Sequence, residues 1–125
     1  MSSKTILIVD DELDLVETIR FPLELEGYTV LVSCNGEDAL NQARREMPHL
    51  ILLDVMLPKL DGYKVCRLLK FDEKYKHIPI LMLTAKVQEK DKAMGKDAGV
   101  DEYIGKPFDI DELVEKVKSY LDKRG

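Results

Sequence analysis

The sequence predicts an α/β domain: a doubly wound open sheet of five parallel strands with helices on both faces. Two observations carry this. Five short apolar runs alternate with five segments of helical period, and the connections are short, so successive strands pair through right-handed crossovers that cover both sheet faces. The length of 125 residues suits one domain with a single core, taken as residues 1–125.

The first strand is expected at Thr5 to Val9, where Ile6, Leu7, Ile8 and Val9 form the unbroken apolar run of a strand buried on both faces. A helix over Leu13 to Glu26 follows, with Val16, Ile19 and Leu23 on the face toward the sheet and Gly27 at its end. Pro22 lies inside it and is expected to bend it. Thr18, Phe21, Pro22 and Leu25 share the opposite side, an outward apolar stripe that either packs on the last helix or meets a partner.

The second strand is read at Tyr28 to Ser33, and Asn35 stands as a cap before a helix over Glu37 to Glu46. Leu50 to Leu53 and Tyr63 to Asp72 form the third strand and helix; Ile78 to Leu83 and Lys90 to Asp97, closed by Gly99, form the fourth. The fifth strand is Tyr103 to Gly105, and "DIDE" at Asp109 to Glu112 opens a last helix over Ile110 to Lys123, with an N-cap acid and a Glu three residues on.

Composition narrows the function. Charged residues make up 34% and the net charge is -5, whereas a general nucleic-acid surface needs clustered excess Lys and Arg. No apolar stretch reaches the ~18 residues of a membrane span, and "MSSKT" leads straight into a strand without a signal-peptide core, so a cytoplasmic protein is expected. Cys34 and Cys66 are far apart and in no metal or redox spacing, which predicts two free, partly buried thiols.

In an open parallel sheet the ligand site lies beyond the carboxyl ends of the strands. Here those ends carry Asp10 and Asp11, Asp54, Thr84, and Lys106 with Pro107. Two carboxylates ~4 Å apart at an effective dielectric of ~20 repel by about 4 kcal/mol, so the pair after the first strand calls for a cation. Three carboxylates against one ammonium leave two net negative charges, matched by a divalent cation. All-oxygen ligands favour a hard one, Mg²⁺ with Mn²⁺ as a substitute. A metal, a hydroxyl and an ammonium around a central carboxylate suit phosphoryl transfer to Asp54, giving an aspartyl phosphate.

The motifs "ILIVDDE", "LILLDVMLPKLDGY", "ILMLTA" and "DEYIGKPF", in this order and spacing, resemble the receiver domain of two-component response regulators over essentially the whole chain. The resemblance implies a flavodoxin-like (βα)5 sheet of strand order 2-1-3-4-5. It implies Asp54 as phospho-acceptor, Asp10 and Asp11 as the acidic pair, and the Met56 backbone carbonyl as a further metal ligand. Thr84 and Tyr103 resemble the switch pair, Lys106 the phosphoryl-contacting lysine, and Pro107 a proline with a cis bond. The implied donor is the phosphohistidine of a sensor histidine kinase or phosphotransfer protein. The implied product is a phosphorylated state whose fourth-helix, fifth-strand and fifth-helix face carries the signal. Met56 and Lys86 are placed to govern water access to the phosphoryl group.

Two surfaces are expected to meet partners. Leu15, Thr18 and Pro22 are kinase-docking candidates. Lys92, Asp97, Asp101, Glu102, Glu112, Lys116 and Lys118 place both charge signs on the output face, in the manner of receivers that form homodimers when phosphorylated. Other readings remain open. A haloacid-dehalogenase-like phosphohydrolase also uses a strand-end Asp, but in a DxD motif where this chain has "DDE"; a pseudo-receiver used only for docking usually lacks acidic-pocket residues. A nucleotide switch has no GxxxxGK[ST] or GxGxxG to rest on. With no output domain after Lys123, the chain reads either as a single-domain regulator or as a receiver from a longer protein.

Overall fold

A computed structural model of the chain describes residues 4–57, 61–85 and 96–123. Five parallel strands, β1 (Thr5–Val9), β2 (Thr29–Ser33), β3 (Leu50–Asp54), β4 (Ile80–Thr84) and β5 (Glu102–Gly105), form one sheet in the order β2-β1-β3-β4-β5. This is the predicted doubly wound sheet. Its chain direction reverses laterally at β1, so a crevice opens between the exits of β1 and β3.

Strand pleating divides the core into two layers. Ile6 and Ile8 of β1 point to one side, where they meet Val16, Ile19 and Leu23 of α1 (Leu13–Leu25) and Leu113, Val117 and Leu121 of the C-terminal helix (Ile110–Lys123). Leu7 and Val9 point to the other, against Ala39 and Ala43 of α2 (Gly36–Glu46) and Val65, Cys66 and Leu69 of α3 (Gly62–Lys70). Both layers rest on β1 and β3, whose residues are all buried apart from half-buried Thr5.

The helix starts follow their capping chemistry. Asn35 accepts a hydrogen bond from the Asp38 N–H at 2.9 Å, and Asp109 accepts one from the Asp111 N–H at 2.8 Å and one from the Glu112 N–H at 3.3 Å. Asp61 caps α3 in the same way, accepting from the Lys64 N–H at 3.0 Å. Continuing through Pro22, α1 loses that residue's N–H bond without ending there, and the Glu26 N–H bonds back to the Pro22 and Leu23 carbonyls. Gly27 and Gly99 end their helices with φ of 97° and 87°. Residues 96–98 are helical; the rest of the helix expected over Lys90 to Asp97 lies outside the described residues.

Several boundaries differ for identifiable reasons. β4 begins at Ile80 rather than Ile78, because the Ile78 N–H is taken by the Tyr75 carbonyl and Pro79 has none to give. Tyr28 falls outside β2, its N–H bonded to the Leu23 carbonyl instead. α3 starts at Gly62 and ends at Lys70, short of Asp72. The thiols are also unlike each other: Cys66 is fully buried, while Cys34 is exposed rather than partly buried. Burial pushes the Cys66 thiol up to about 12, so it behaves as an inert core side chain.

Gly62 seats α3 beside the exit of β3. Its N–H donates to the Val55 carbonyl at 3.1 Å, and a Cβ placed there would stand 2.4 Å from the Asp54 carbonyl oxygen. Gly62→Ala should therefore cost about 2–3 kcal/mol in urea unfolding, because backbone rather than a flexible side chain has to move. Gly105→Ala, where an added Cβ meets nothing within 4 Å, is the control and should change stability by under about 0.5 kcal/mol. Equal effects of the two would refute the close approach.

Candidate functional site

The carboxyl ends of the strands bring Asp10, Asp11 and Asp54 together, with one oxygen from each carboxylate within 4.8 Å of the others. Asp10 is fully buried at the exit of β1. Its Oδ1 accepts from the Glu12 N–H at 2.9 Å and its Oδ2 from Lys106 Nζ at 3.1 Å. Asp54 closes β3, nearly buried, and its Oδ1 accepts from the Met56 N–H at 3.3 Å. Asp11 is exposed. One carboxylate is thus fixed from two sides, one is poised at the crevice wall and one reaches out into water.

Lys106 stands at the exit of β5, its N–H bonded to the Thr84 carbonyl at 2.7 Å. Its Nζ lies 3.6 Å from an oxygen of Asp54 and 3.6 Å from one of Glu12. The Lys106–Pro107 peptide is cis, as the resemblance implies. Thr84 ends β4 next to Asp54 in the sheet, with its residue buried to 9% exposure.

Burial pushes the Asp54 carboxyl above the usual carboxylate range, and the neighbouring Asp10 charge adds to this; Lys106 and the Met56 N–H pull the other way without cancelling it. At Lys106 burial works against the charge, but its hydrogen bond to Asp10 and the carboxylates of Asp10, Asp54 and Glu12 outweigh it and hold the ammonium above its ordinary value. Among the described residues the site has excess negative charge with one shared cation, Lys106.

That donor set fits a hard divalent ion. Among the described residues the ligands are all oxygen, three carboxylates converge on one point, and the Lys106 ammonium leaves their charge unbalanced. Met56, two residues beyond Asp54, is 79% exposed and flanks the crevice. Lys86, its expected companion in controlling water access, lies outside the described residues.

The other sequence-predicted residues divide. Tyr103 is half-buried on β5, with its hydroxyl 2.8 Å from the Tyr63 hydroxyl of α3. On α1, Leu15 is half-buried against the core, Thr18 is exposed with its hydroxyl donating to the Asp14 carbonyl at 2.9 Å, and Pro22 is half-buried. Phe21 and Leu25 of the outward stripe are 65% and 70% exposed, so packing on the C-terminal helix does not cover them.

On the expected output face, four of the charges already have partners within the chain. Asp101 pairs with Lys70 at 2.7 Å, Glu102 pairs with Lys116, and Lys118 pairs with Glu26 at 3.2 Å, which turns Lys118 toward the end of α1 and off that face. Asp97 and Glu112 are exposed; Lys92 lies outside the described residues. Sequence reasoning missed two participants. Glu12 is signalled only as the third acid of "DDE", and nothing local marks Tyr63 as the partner of Tyr103.

The five-stranded sheet of order 2-1-3-4-5 thus gathers an acidic trio and a lysine at its carboxyl edge. Residues 6–118 match the family model described as the response regulator receiver domain, and the chain belongs to that family. It is 48% identical over 119 residues to the alkaline phosphatase synthesis transcriptional regulatory protein PhoP of Bacillus subtilis, covering 95% of this chain and 49% of that protein. With the DNA-binding dual master transcriptional regulator RpaA of Synechocystis it shares 43% identity over 116 residues, 93% of this chain and 48% of that one. The chain thus spans about half the length of these curated relatives. Among solved structures, the receiver domain of the sensor histidine kinase PA1611 of Pseudomonas aeruginosa aligns with a TM-score of 0.87 and 32% identity, over 96% of this chain and 98% of that one. That structure holds a magnesium ion in its active-site cleft.

Proposed function

We propose that the chain is one receiver domain over residues 1–125 that takes a phosphoryl group onto Asp54 from the phosphohistidine of a sensor histidine kinase or phosphotransfer protein. The observation that carries this is the nearly buried Asp54 carboxylate set among Asp10, Asp11 and Lys106 at the sheet's switch point. An Asp54 oxygen attacks phosphorus, the P–N bond breaks with its electron pair going to the imidazole, and an acyl phosphate remains on Asp54. Asp10, Asp11, Asp54 and the Met56 carbonyl would hold Mg²⁺, or Mn²⁺ in its place, and the ion would supply charge neutralisation on the phosphoryl oxygens.

Lys106 is within reach of both Asp10 and Asp54, which supports assigning its ammonium to a second phosphoryl oxygen, with the Thr84 hydroxyl assigned to a third. Thr84 and Tyr103 form the switch that transmits occupancy to the surface of β5 and the C-terminal helix. In this reading the chain is a cytoplasmic signalling domain that catalyses its own phosphorylation and slow dephosphorylation; no described helix is long and apolar enough to cross a membrane. Leu15, Thr18 and Pro22 of α1 are assigned to the kinase, beside the crevice that begins at Asp11.

Titration calorimetry with Mg²⁺ tests the metal role. The wild type should bind one ion, and Asp11→Asn should lose about tenfold or more in affinity while the metal-free fold stays as stable or gains slightly, since one crowded carboxylate is gone. Unchanged affinity in Asp11→Asn would contradict the assignment.

A further inference from the structure

The four-residue edge strand β5 is tied to the rest of the molecule by three successive side chains. Asp101, immediately before it, pairs with Lys70 at 2.7 Å and accepts from the Ile80 N–H at 2.7 Å. Glu102 faces the other layer, paired with Lys116 and accepting from the Tyr120 hydroxyl at 3.0 Å. Tyr103 returns to the first layer, its hydroxyl 2.8 Å from that of Tyr63. Lys70 and Tyr63 lie at opposite ends of α3, so one helix grips the strand at two points.

The grip near Tyr63 is close to the chemistry. Tyr63 follows Gly62, whose backbone sits against the Asp54 carbonyl and bonds to Val55. Tyr103 precedes Lys106 by three residues on a strand whose register, Met82↔Tyr103 and Thr84↔Gly105, runs straight to the Lys106 bond with Thr84. The phenol pair therefore bridges the two chain segments that deliver the carboxylate and the ammonium of the site.

We propose that Tyr63 is a positioning residue: its hydroxyl holds Tyr103, and through β5 it sets Lys106 against Asp54. The claim about Lys106 rests on the phosphoryl-acceptor reading; the claim about β5 does not. A neutral side-chain hydrogen bond of this kind contributes about a fivefold factor to a local equilibrium. An edge strand with few ladder bonds responds to such a loss more than the central strands do.

The test is a double-mutant cycle of Tyr63→Phe, Tyr103→Phe and the double variant, each removing only hydroxyls. Amide hydrogen exchange of Ile104 and Lys106 in the free protein should quicken about fivefold, with Leu7 and Ile8 of β1 unchanged. Uptake of a phosphoryl group from acetyl phosphate at saturating Mg²⁺ should slow by a similar factor. The double variant should behave as either single one does, because both remove the same bond; separate contributions of the two hydroxyls, each made to other groups, would add. Exchange within twofold of the wild type, or additive effects, would overturn the proposal. Faster exchange with undiminished uptake would overturn the positioning of Lys106. If the wild type takes up no phosphoryl group, the acceptor reading fails by itself, and the exchange cycle still decides whether Tyr63 clamps β5.

Discussion

With Asp54 replaced by Asn, the protein should take up no phosphoryl group from an acyl-phosphate donor and, free of metal, should melt higher than the wild type at neutral pH. The first outcome follows because the amide has no nucleophilic oxygen to offer. The second follows from the sign of the titration. Burial, helped by Asp10, raises the carboxyl of folded Asp54 above its unfolded value. The folded state then holds the proton more tightly than the unfolded one, so ionised Asp54 weakens the fold at neutral pH, and the penalty fades as pH falls through the raised value.

Carboxylates ~5 Å apart at an effective dielectric of ~20 repel by about 3 kcal/mol, and Lys106 offsets much of this. A net gain of about 1 kcal/mol corresponds to roughly 3–6 °C in a domain of this size. Calorimetry across the acid range should show the gain of Asp54→Asn shrinking as the wild-type carboxyl protonates. Saturating Mg²⁺ should reverse the order, since the wild type retains the ligand and is stabilised by binding. A variant that melts lower without metal, or that still takes the label, would contradict this description of the site.

Lys106→Met should slow phosphoryl uptake by about 10²-fold while Mg²⁺ binds as tightly as in the wild type or more so. The rate falls because a preorganised donor aimed at developing charge is gone. The metal gains because the ammonium no longer occupies Asp10 Oδ2 at 3.1 Å or crowds Asp54 at 3.6 Å. The same substitution should destabilise the metal-free protein by removing the cation that Asp10, Glu12 and Asp54 share.

The pH dependence of that loss has a definite sign. The folded ammonium is held above its ordinary value, so its contribution is complete below the unfolded value and disappears only as pH rises through the folded one. The stability gap between wild type and Lys106→Met should accordingly be constant through neutral pH and close only in strong alkali. Weaker Mg²⁺ binding together with unchanged uptake would mean that Lys106 holds the metal shell together instead of serving the phosphoryl group.

What could be read from the sequence follows from how a parallel sheet is built. The run Ile6 to Val9 and the residue types after each strand suffice to gather Asp10, Asp11, Asp54, Thr84 and Lys106 at one edge, because all five carboxyl ends of parallel strands point the same way. Asn35 and Asp109 mark helix starts because capping is local. Partners contributed by distant segments are another matter. That Tyr63 meets Tyr103, or that Glu12 joins Asp10 on Lys106, depends on the rotation of α3 and on the turn after β1, which no short window encodes.

The charged face shows the same limit. Alternating signs on β5 and the C-terminal helix suggest an open surface in sequence, yet Glu102 and Lys116 pair within the chain, and Lys118 turns to Glu26 of the neighbouring helix end. Likewise Met47 ends α2 in the left-handed conformation, φ 48°, where glycine or asparagine would have announced the stop.

The measurement that bears most directly on the account is chemical location of the phosphoryl group after the protein is mixed with a phosphohistidine-bearing kinase domain and Mg²⁺. Hydride reduction of the acyl phosphate followed by peptide mass analysis identifies the residue that carried it. The account predicts a single modified site at Asp54, dependent on Mg²⁺ and absent in Asp54→Asn. Label on Asp10, Asp11, His49 or His77, or label on Asp54 that forms equally well with the metal chelated, would contradict it.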